Sequence, residues 1–137
     1  MIEFSYQEEY SDKFGKILRP VALVTLSTKS KLMQAAMYID SGADVTMIPF
    51  KAGIELGFKY DVEKVFQMSG ITGSLPCLLE KAEIKIGEKK LSVAITWALS
   101  DEAPFLLGRK DIFRFFRITF DEKKRKIEFL ENQIRRK

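Results

Sequence analysis

The segment YIDSGADVTMIP, residues 38–49, sets one carboxylate, Asp40, between an apolar run and the small residues SGA. Burial of a carboxylate costs free energy unless its charge is compensated, so this position indicates a chemical role. A carboxylate can transfer a proton during hydrolysis as a general acid or a general base. One carboxylate cannot do both for the same water molecule, so Asp40 alone is half of a hydrolytic site.

The composition limits the other chemistry that this chain can carry. The 137 residues include no histidine and one cysteine, Cys77. These counts exclude an intramolecular disulfide, a zinc site of histidine and cysteine, and every histidine-dependent nucleophilic triad. Acid–base chemistry must therefore come from carboxylates, lysine or tyrosine. We expect Cys77 to be a small buried or half-buried hydrophobic residue.

Alternating apolar and polar residues predict strands along most of the chain. Strands are predicted at 21–28 and 32–39, and hairpins at 82–98 and 117–130.

Two helical segments are predicted, one at 50–57 and a possible second at 109–116. The pattern predicts a mostly β fold, a small antiparallel domain with one or two short helices. We expect a single domain over 1–137, with its core at about 20–130 and a basic C-terminal tail.

The chain has a net charge of +4, and its basic residues are concentrated late in the sequence, at 123–126 and 135–137. Such a surplus is typical either of a nucleic-acid or acidic-partner patch or of a solvated turn and a basic tail. The second interpretation is favoured because no aromatic residues interleave with these lysines. No apolar run is long enough to cross a membrane, and the N-terminus MIEFSYQEEY is unlike a signal peptide. We expect a cytoplasmic protein with no nucleic-acid or membrane partner.

Three stretches occur in an order that carries a family resemblance: IDSGA at 39–43, SGITGSLP at 69–76 and PFLLGRKDI at 104–112. Over about residues 20–120, the sequence resembles the retroviral-type aspartic proteases, the retropepsins. The resemblance implies a retropepsin-like acid protease fold, a small closed β domain. It also implies an endopeptidase that needs no metal or cofactor and binds an extended peptide or protein substrate.

The resemblance implies that Asp40 works as one half of a catalytic dyad. Two adjacent aspartates share one proton, because two like charges in contact cannot both ionise. The sequence contains only one DSG, and Asp44, Asp61, Asp101, Asp111 and Asp121 lack a following Ser/Thr-Gly. The second carboxylate must therefore come from a second copy of the chain in a twofold homodimer, and a monomer should be inert.

The neighbours of Asp40 acquire roles from the same resemblance. The Ser41 hydroxyl braces the two loops across the dimer axis, and Gly42 allows the backbones to approach closely. Ala43 has no hydroxyl with which to stabilise the charged dyad, so we expect activity from weakly acidic toward neutral pH. Met47 is expected to line a substrate pocket.

A second set of residues supports this loop. The resemblance implies that Asp44 and Arg109 form a buried support pair, with the Asp44 carboxylate also accepting hydrogen bonds from substrate backbone. Leu106 and Leu107 are expected to lead into Gly108 and to pack under Asp40.

The segment SGITGS is expected to form a flap, a hairpin tip that closes over the substrate. Its substrate-binding residues would be Gly70, Ile71, Thr72 and Gly73. The viral relatives dimerise through interleaved chain ends, and the ends of this chain differ from theirs.

Two other functions stay open on the sequence. A non-catalytic module could keep the fold and the dimer and use the cleft only to hold a peptide. A nucleic-acid binder acting through the basic tail has the least support.

Overall fold

A computed structural model describes residues 1–70 and 73–133. Its strands are β1 (Ile2–Ser5), β2 (Gln7–Ser11), β3 (Gly15–Arg19), β4 (Val21–Ser27), β5 (Leu32–Ile39), β6 (Thr46–Ile48), β7 (Phe66–Gly70), β8 (Gly73–Ile86), β9 (Lys89–Ala98), β10 (Leu106–Leu107), β11 (Phe116–Asp121) and β12 (Lys126–Glu131). One α-helix, α1 (Phe50–Glu55), and a 3-10 turn at Val62–Lys64 complete the regular structure of the described residues.

Six strands form a closed ring in the order β4-β5-β10-β6-β9-β8, and β8 pairs again with β4. Closure leaves these strands without free edges, and their apolar side chains fill the interior. Fully buried members of this core include Leu26, Met37, Ile84, Ile95 and Trp97. The predicted small closed β domain, with its strands at 21–28 and 32–39 and its hairpin at 82–98, is confirmed.

The helix predicted at 50–57 forms as α1 and packs against the buried indole of Trp97. The Trp97 Nε1–H donates to the carbonyl oxygen of Phe50 at 2.9 Å, and the two rings stack with centroids 5.4 Å apart. Trp97 is therefore a core residue. Cys77 is also fully buried, as expected, and burial raises the pKa of its thiol.

The prediction of a second helix at 109–116 is wrong, because this segment is a series of turns that leads into β11. Asp111 lies in the left-handed region with φ 67°, and its carboxylate accepts a hydrogen bond from the Ala94 N–H at 3.0 Å. This contact with β9 interrupts the helical path. The apolar residues of the segment still face inward, since Ile112 and Phe116 are buried.

Both ends of the described chain meet in a three-stranded sheet of order β1-β12-β11. The predicted hairpin at 117–130 supplies β11 and β12, and β1 adds to β12 with Ile2 opposite Phe129 and Phe4 opposite Ile127. The end strands therefore pair within one chain. A separate hairpin of β2 and β3 follows β1 and was not predicted.

Lys123, Lys124 and Arg125 of the basic segment lie in the turn between β11 and β12 and are exposed, and Lys126 begins β12. The basic residues at 135–137 lie outside the described residues. No helix within 1–70 and 73–133 is long and apolar enough to cross a membrane.

Candidate active site

Asp40 lies directly after β5, where this inner strand of the ring ends. Its N–H donates to the carbonyl oxygen of Leu107 at 3.1 Å, which continues the parallel pairing of β5 with β10. Leu107 is fully buried beneath the loop, whereas Asp40 is half-buried. The ring therefore fixes the backbone of Asp40 and leaves its carboxylate accessible.

The loop after Asp40 folds back on the carboxylate. The Gly42 N–H donates to Asp40 Oδ1 at 2.9 Å, and the Ala43 N–H donates to the Asp40 carbonyl oxygen at 3.1 Å. A Cβ on residue 42 would lie 3.3 Å from Oδ1, which is a tight contact, so glycine fits this approach. Ser41 and Gly42 are exposed at the tip. The loop thus orients the carboxylate through its own backbone.

Gly108 and Thr46 join the loop to the neighbouring strand. The Gly108 N–H donates to Thr46 Oγ1 at 3.1 Å, and Thr46 is fully buried. A Cβ at position 108 would overlap the Val45 backbone. Thr46 was not among the functional residues predicted from the sequence. The sequence does contain a signal for this residue, because it places a hydroxyl within the apolar run VTMI. A buried hydroxyl costs free energy unless it has a hydrogen-bond partner.

Asp44 and Arg109 form the predicted ion pair through Asp44 Oδ1 and Arg109 Nη2. Their side chains are 80% and 55% exposed, so the prediction that the pair is buried is wrong for the single chain. Both side chains project from the rim of the loop. Two backbone bonds of 2.9 Å fasten the same segments, from Arg109 N–H to the Ala43 carbonyl and from Lys110 N–H to the Asp44 carbonyl.

The segment predicted as a flap is a hairpin of β7 and β8, with Ser69 opposite Ser74 and Gly70 opposite Gly73. Gly73 has φ 132°, a conformation that other residues rarely adopt. Ile71 and Thr72, the remaining predicted flap residues, lie outside the described residues.

A cavity of about 590 Å³ lies between this hairpin, strands β6 and β10 and the loop at 100–103, and Asp40 is not among the residues that line it. Met47 and Leu106 form its floor, and Met68, Ser69 and Gly73 come from the hairpin. Leu106 immediately precedes the residue that holds the Asp40 N–H. The cavity therefore connects the hairpin to the strand beneath the carboxylate.

A larger cavity, of about 720 Å³, lies elsewhere, among the β4–β5 turn, the end of α1 and strand β8. Glu80 is in its wall, and burial raises the pKa of that carboxyl group while Lys64 opposes the shift. None of the predicted site residues lines this cavity. Size alone therefore does not identify the site, and the chemistry of Asp40 does.

Tyr38, two residues before Asp40, links the site strand to the β2–β3 hairpin. Its hydroxyl donates to Glu9 Oε1 at 2.6 Å, and this hydrogen bond, followed by burial, raises the pKa of the Tyr38 phenol. The guanidinium carbon of Arg19 lies 5.8 Å from the centroid of the Tyr38 ring, and Arg19 Nε lies 3.3 Å from Glu9 Oε2. Sequence reasoning did not find this cluster, because it joins residues far apart in the chain.

No protein-family model matches this sequence, and no curated protein matches it. Solved structures that share its fold include two aspartic proteases. A retropepsin-like aspartic protease from Rickettsia conorii is 18% identical with a TM-score of 0.60, covering 95% of this chain and 99% of that protein. The EIAV protease complexed with the inhibitor HBY-793 is 20% identical with a TM-score of 0.53, covering 70% of this chain and 86% of the viral one. The chain therefore has the retropepsin-like aspartic protease fold.

Proposed function

We propose that this chain is a homodimeric aspartic endopeptidase whose dyad is Asp40 from each of two copies. The observation that carries the proposal is the placement of Asp40. Its accessible carboxylate is held by the Gly42 N–H at the end of an inner strand, within the fold of the retropepsin-like proteases. This arrangement presents one oriented carboxylate per chain, which is what a symmetric dyad requires.

The dyad would hydrolyse a peptide bond by passing protons between its two carboxyl groups, water and the peptide. One Asp40 carboxylate takes a proton from water, and the resulting hydroxide attacks the peptide carbonyl carbon. The other, protonated Asp40 donates its proton to the carbonyl oxygen, which gives a neutral tetrahedral gem-diol. The Asp40 that took the proton from water then donates it to the amide nitrogen, and the other Asp40 takes a proton from a gem-diol hydroxyl as the C–N bond breaks into a carboxylic acid and an amine.

The second copy is needed because the nearest carboxylate in sequence is otherwise engaged. Asp44 forms an ion pair with Arg109 and points to the rim of the loop. In residues 1–70 and 73–133, moreover, no group of three or more acidic or cysteine residues is arranged to hold a metal ion. A twofold axis beside Asp40 would supply the missing carboxylate.

The substrate would be an extended peptide held as a strand between the β7–β8 hairpin and the cavity floor. Met47 and Leu106 offer apolar surface to side chains beside the cleaved bond. Ser41 would brace the two loops across the axis, and Asp44 would accept backbone hydrogen bonds from the peptide. Gly70, Ile71, Thr72 and Gly73 would form the closing flap.

Cleavage of a peptide library, followed by mass spectrometry from pH 4 to 8, tests the proposal. We expect cleavage by the wild type that a statine-type transition-state analogue inhibits, with an optimum from weakly acidic toward neutral pH. Asp40→Asn should reduce cleavage to background while its unfolding midpoint stays near that of the wild type. Asp12→Asn, in the exposed turn of the β2–β3 hairpin, is the matched control and should cleave normally.

Retention of activity by Asp40→Asn would contradict the assignment. A wild type that cleaves nothing, yet binds extended peptides as a dimer, would instead support the non-catalytic peptide-binding module.

A further inference from the structure

Strand β11 is the outer strand of the β1-β12-β11 sheet. It pairs with β12 on one side, and none of the strands described in 1–70 and 73–133 pairs with its other side. Phe120 is 41% exposed there and Ile118 is half-buried. An open strand with apolar side chains is a template for pairing with another chain.

The direction of the free backbone groups follows from the ladder with β12. The Asn132 N–H donates to the Phe115 carbonyl at 2.8 Å, which continues the register of Phe116 opposite Glu131. Hydrogen bonding alternates along an antiparallel strand, so Arg117 and Thr119, in phase with Phe115, bond to β12. Phe116, Ile118 and Phe120 therefore direct their N–H and C=O groups toward the open edge.

This edge is complementary to itself when two copies run antiparallel with Thr119 at the centre. Ile118 then lies opposite the partner's Phe120, and Arg117 lies opposite the partner's Asp121. Each pair occurs twice by symmetry, and Thr119 meets the partner's Thr119 on the twofold axis. Opposite charges and apolar side chains are the cross-strand pairs that stabilise a sheet.

We propose that two copies join through β11 into one six-stranded sheet of order β1-β12-β11-β11-β12-β1. The proposal rests on the proposed function, which requires a second Asp40 related by a twofold axis. Because β1 already pairs with β12 of its own chain, the ends need not be exchanged between copies. The dimer interface therefore consists of strand edges rather than interleaved ends.

The opposite edge of the same sheet is less suitable for self-pairing. Strand β1 reads IEFS, and an antiparallel pair centred on Glu3 would set this carboxylate against the partner's Glu3. Like charges directly opposite one another destabilise a sheet. The edge of β11 carries both charge signs at matching distances from its centre.

Strand β11 is also connected closely to the candidate site. The turn segment 109–115 leads directly into β11, and its first residues bond to the Asp40 loop through Arg109 N–H to Ala43 and Lys110 N–H to Asp44. The proposed interface at β11 and the Asp40 loop are therefore connected by a short, hydrogen-bonded segment of the chain.

Cross-linking tests the predicted centre of symmetry. At a non-hydrogen-bonded antiparallel pair the Cα atoms lie about 4.5 Å apart, within the range of a disulfide. Thr119→Cys should thus form a reducible covalent dimer under mild oxidation, and the buried Cys77 should not compete. Glu128→Cys is the matched control, since Glu128 lies opposite Thr119 on β12. Its two copies would be about 14 Å apart, three strand spacings.

Charge exchange tests the register independently. Arg117→Glu and Asp121→Lys should each weaken dimerisation by about three- to thirtyfold, measured by sedimentation, because each creates two like-charge pairs. The double variant restores opposite charges and should recover most of the affinity. Asp121 Oδ1 also accepts the Lys124 N–H at 3.0 Å, and a defect in that turn would persist in the double variant.

The outcomes separate this interface from the proposed activity. The interface is overturned if folded Thr119→Cys does not cross-link, if Glu128→Cys cross-links equally, or if the double variant stays as weak as the singles. If the wild type cleaves peptides in those cases, the protease proposal survives alone. A cross-linked Thr119→Cys dimer that cleaves nothing, together with an inactive wild type, supports the interface and contradicts the protease.

Discussion

The Asp40 loop and the β2–β3 hairpin are both short segments that contact strand β5, yet they are held in different ways. The loop is fixed by the backbone hydrogen bond from Asp40 N–H to the Leu107 carbonyl and by the buried bond from Gly108 N–H to Thr46 Oγ1. Strands β2 and β3 pair with each other, but the hairpin contacts β5 through the side chains of Glu9 and Tyr38, and its Tyr10 and Phe14 are 82% and 79% exposed. The chain therefore places rigidity where a carboxylate must be oriented.

The largest effect is expected at Gly108, whose backbone lies directly against the backbone of Val45. Gly108→Ala should lower the free energy of unfolding by about 3 kcal/mol or more, because its Cβ must displace the Val45 backbone. Chemical denaturation measures this change. Gly15→Ala in the hairpin turn is the contrast, since it has free space and only a left-handed φ of 69°, and should cost about 1–2 kcal/mol. Equal losses at both positions would remove the distinction between the two regions.

A smaller effect is expected from the Thr46 hydroxyl. Thr46→Val keeps the volume but leaves the buried Gly108 N–H without an acceptor, and should cost about 1–3 kcal/mol. Under the proposed function, peptide cleavage should fall as well, because the Asp40 loop loses its anchor. Thr46→Ser retains the hydroxyl and should remain close to the wild type in both urea denaturation and cleavage. A fully stable Thr46→Val protein would show that this bond contributes little.

The smallest effect is expected at the hairpin contact, through Tyr38→Phe. Loss of the bond to Glu9 should cost about 1 kcal/mol near neutral pH. The pKa of the Tyr38 phenol is raised in the folded state, so its contribution is complete below the unfolded pKa of about 10 and is lost as pH rises through the folded value.

Urea midpoints from pH 8 to 11 should therefore converge for the wild type and Tyr38→Phe as pH increases. A constant difference across this range would contradict the role of the phenolic hydrogen bond.

The sequence was most informative where local pattern and packing agree. Period-two alternation predicted β4, β5 and the β8–β9 hairpin. The fold class followed from these strands and from the spacing of three motifs.

Features determined by long-range contacts were missed. The turn at 109–116 has a helical apolar pattern, but the Asp111 carboxylate bonds to Ala94 on another strand. The role of Thr46 depends on a partner 62 residues away. Strand β1 pairs with β12 across almost the whole chain, and no local pattern specifies that partner. The exposure of the Asp44–Arg109 pair likewise depends on which residues surround the Asp40 loop in space. The spacing of motifs along the sequence does not determine this.

The pairing of β1 with β12 has a consequence for biosynthesis. The first strand leaves the ribosome roughly 120 residues before its neighbour in the sheet exists, so the N-terminal segment must wait with its apolar side chains uncovered. Non-local pairings of this kind form slowly, after the local hairpins. A nascent chain would thus carry a nearly complete barrel before β12 exists, and a dimer that joins through the β1-β12-β11 sheet, as proposed above, could assemble only after β12 has been synthesised.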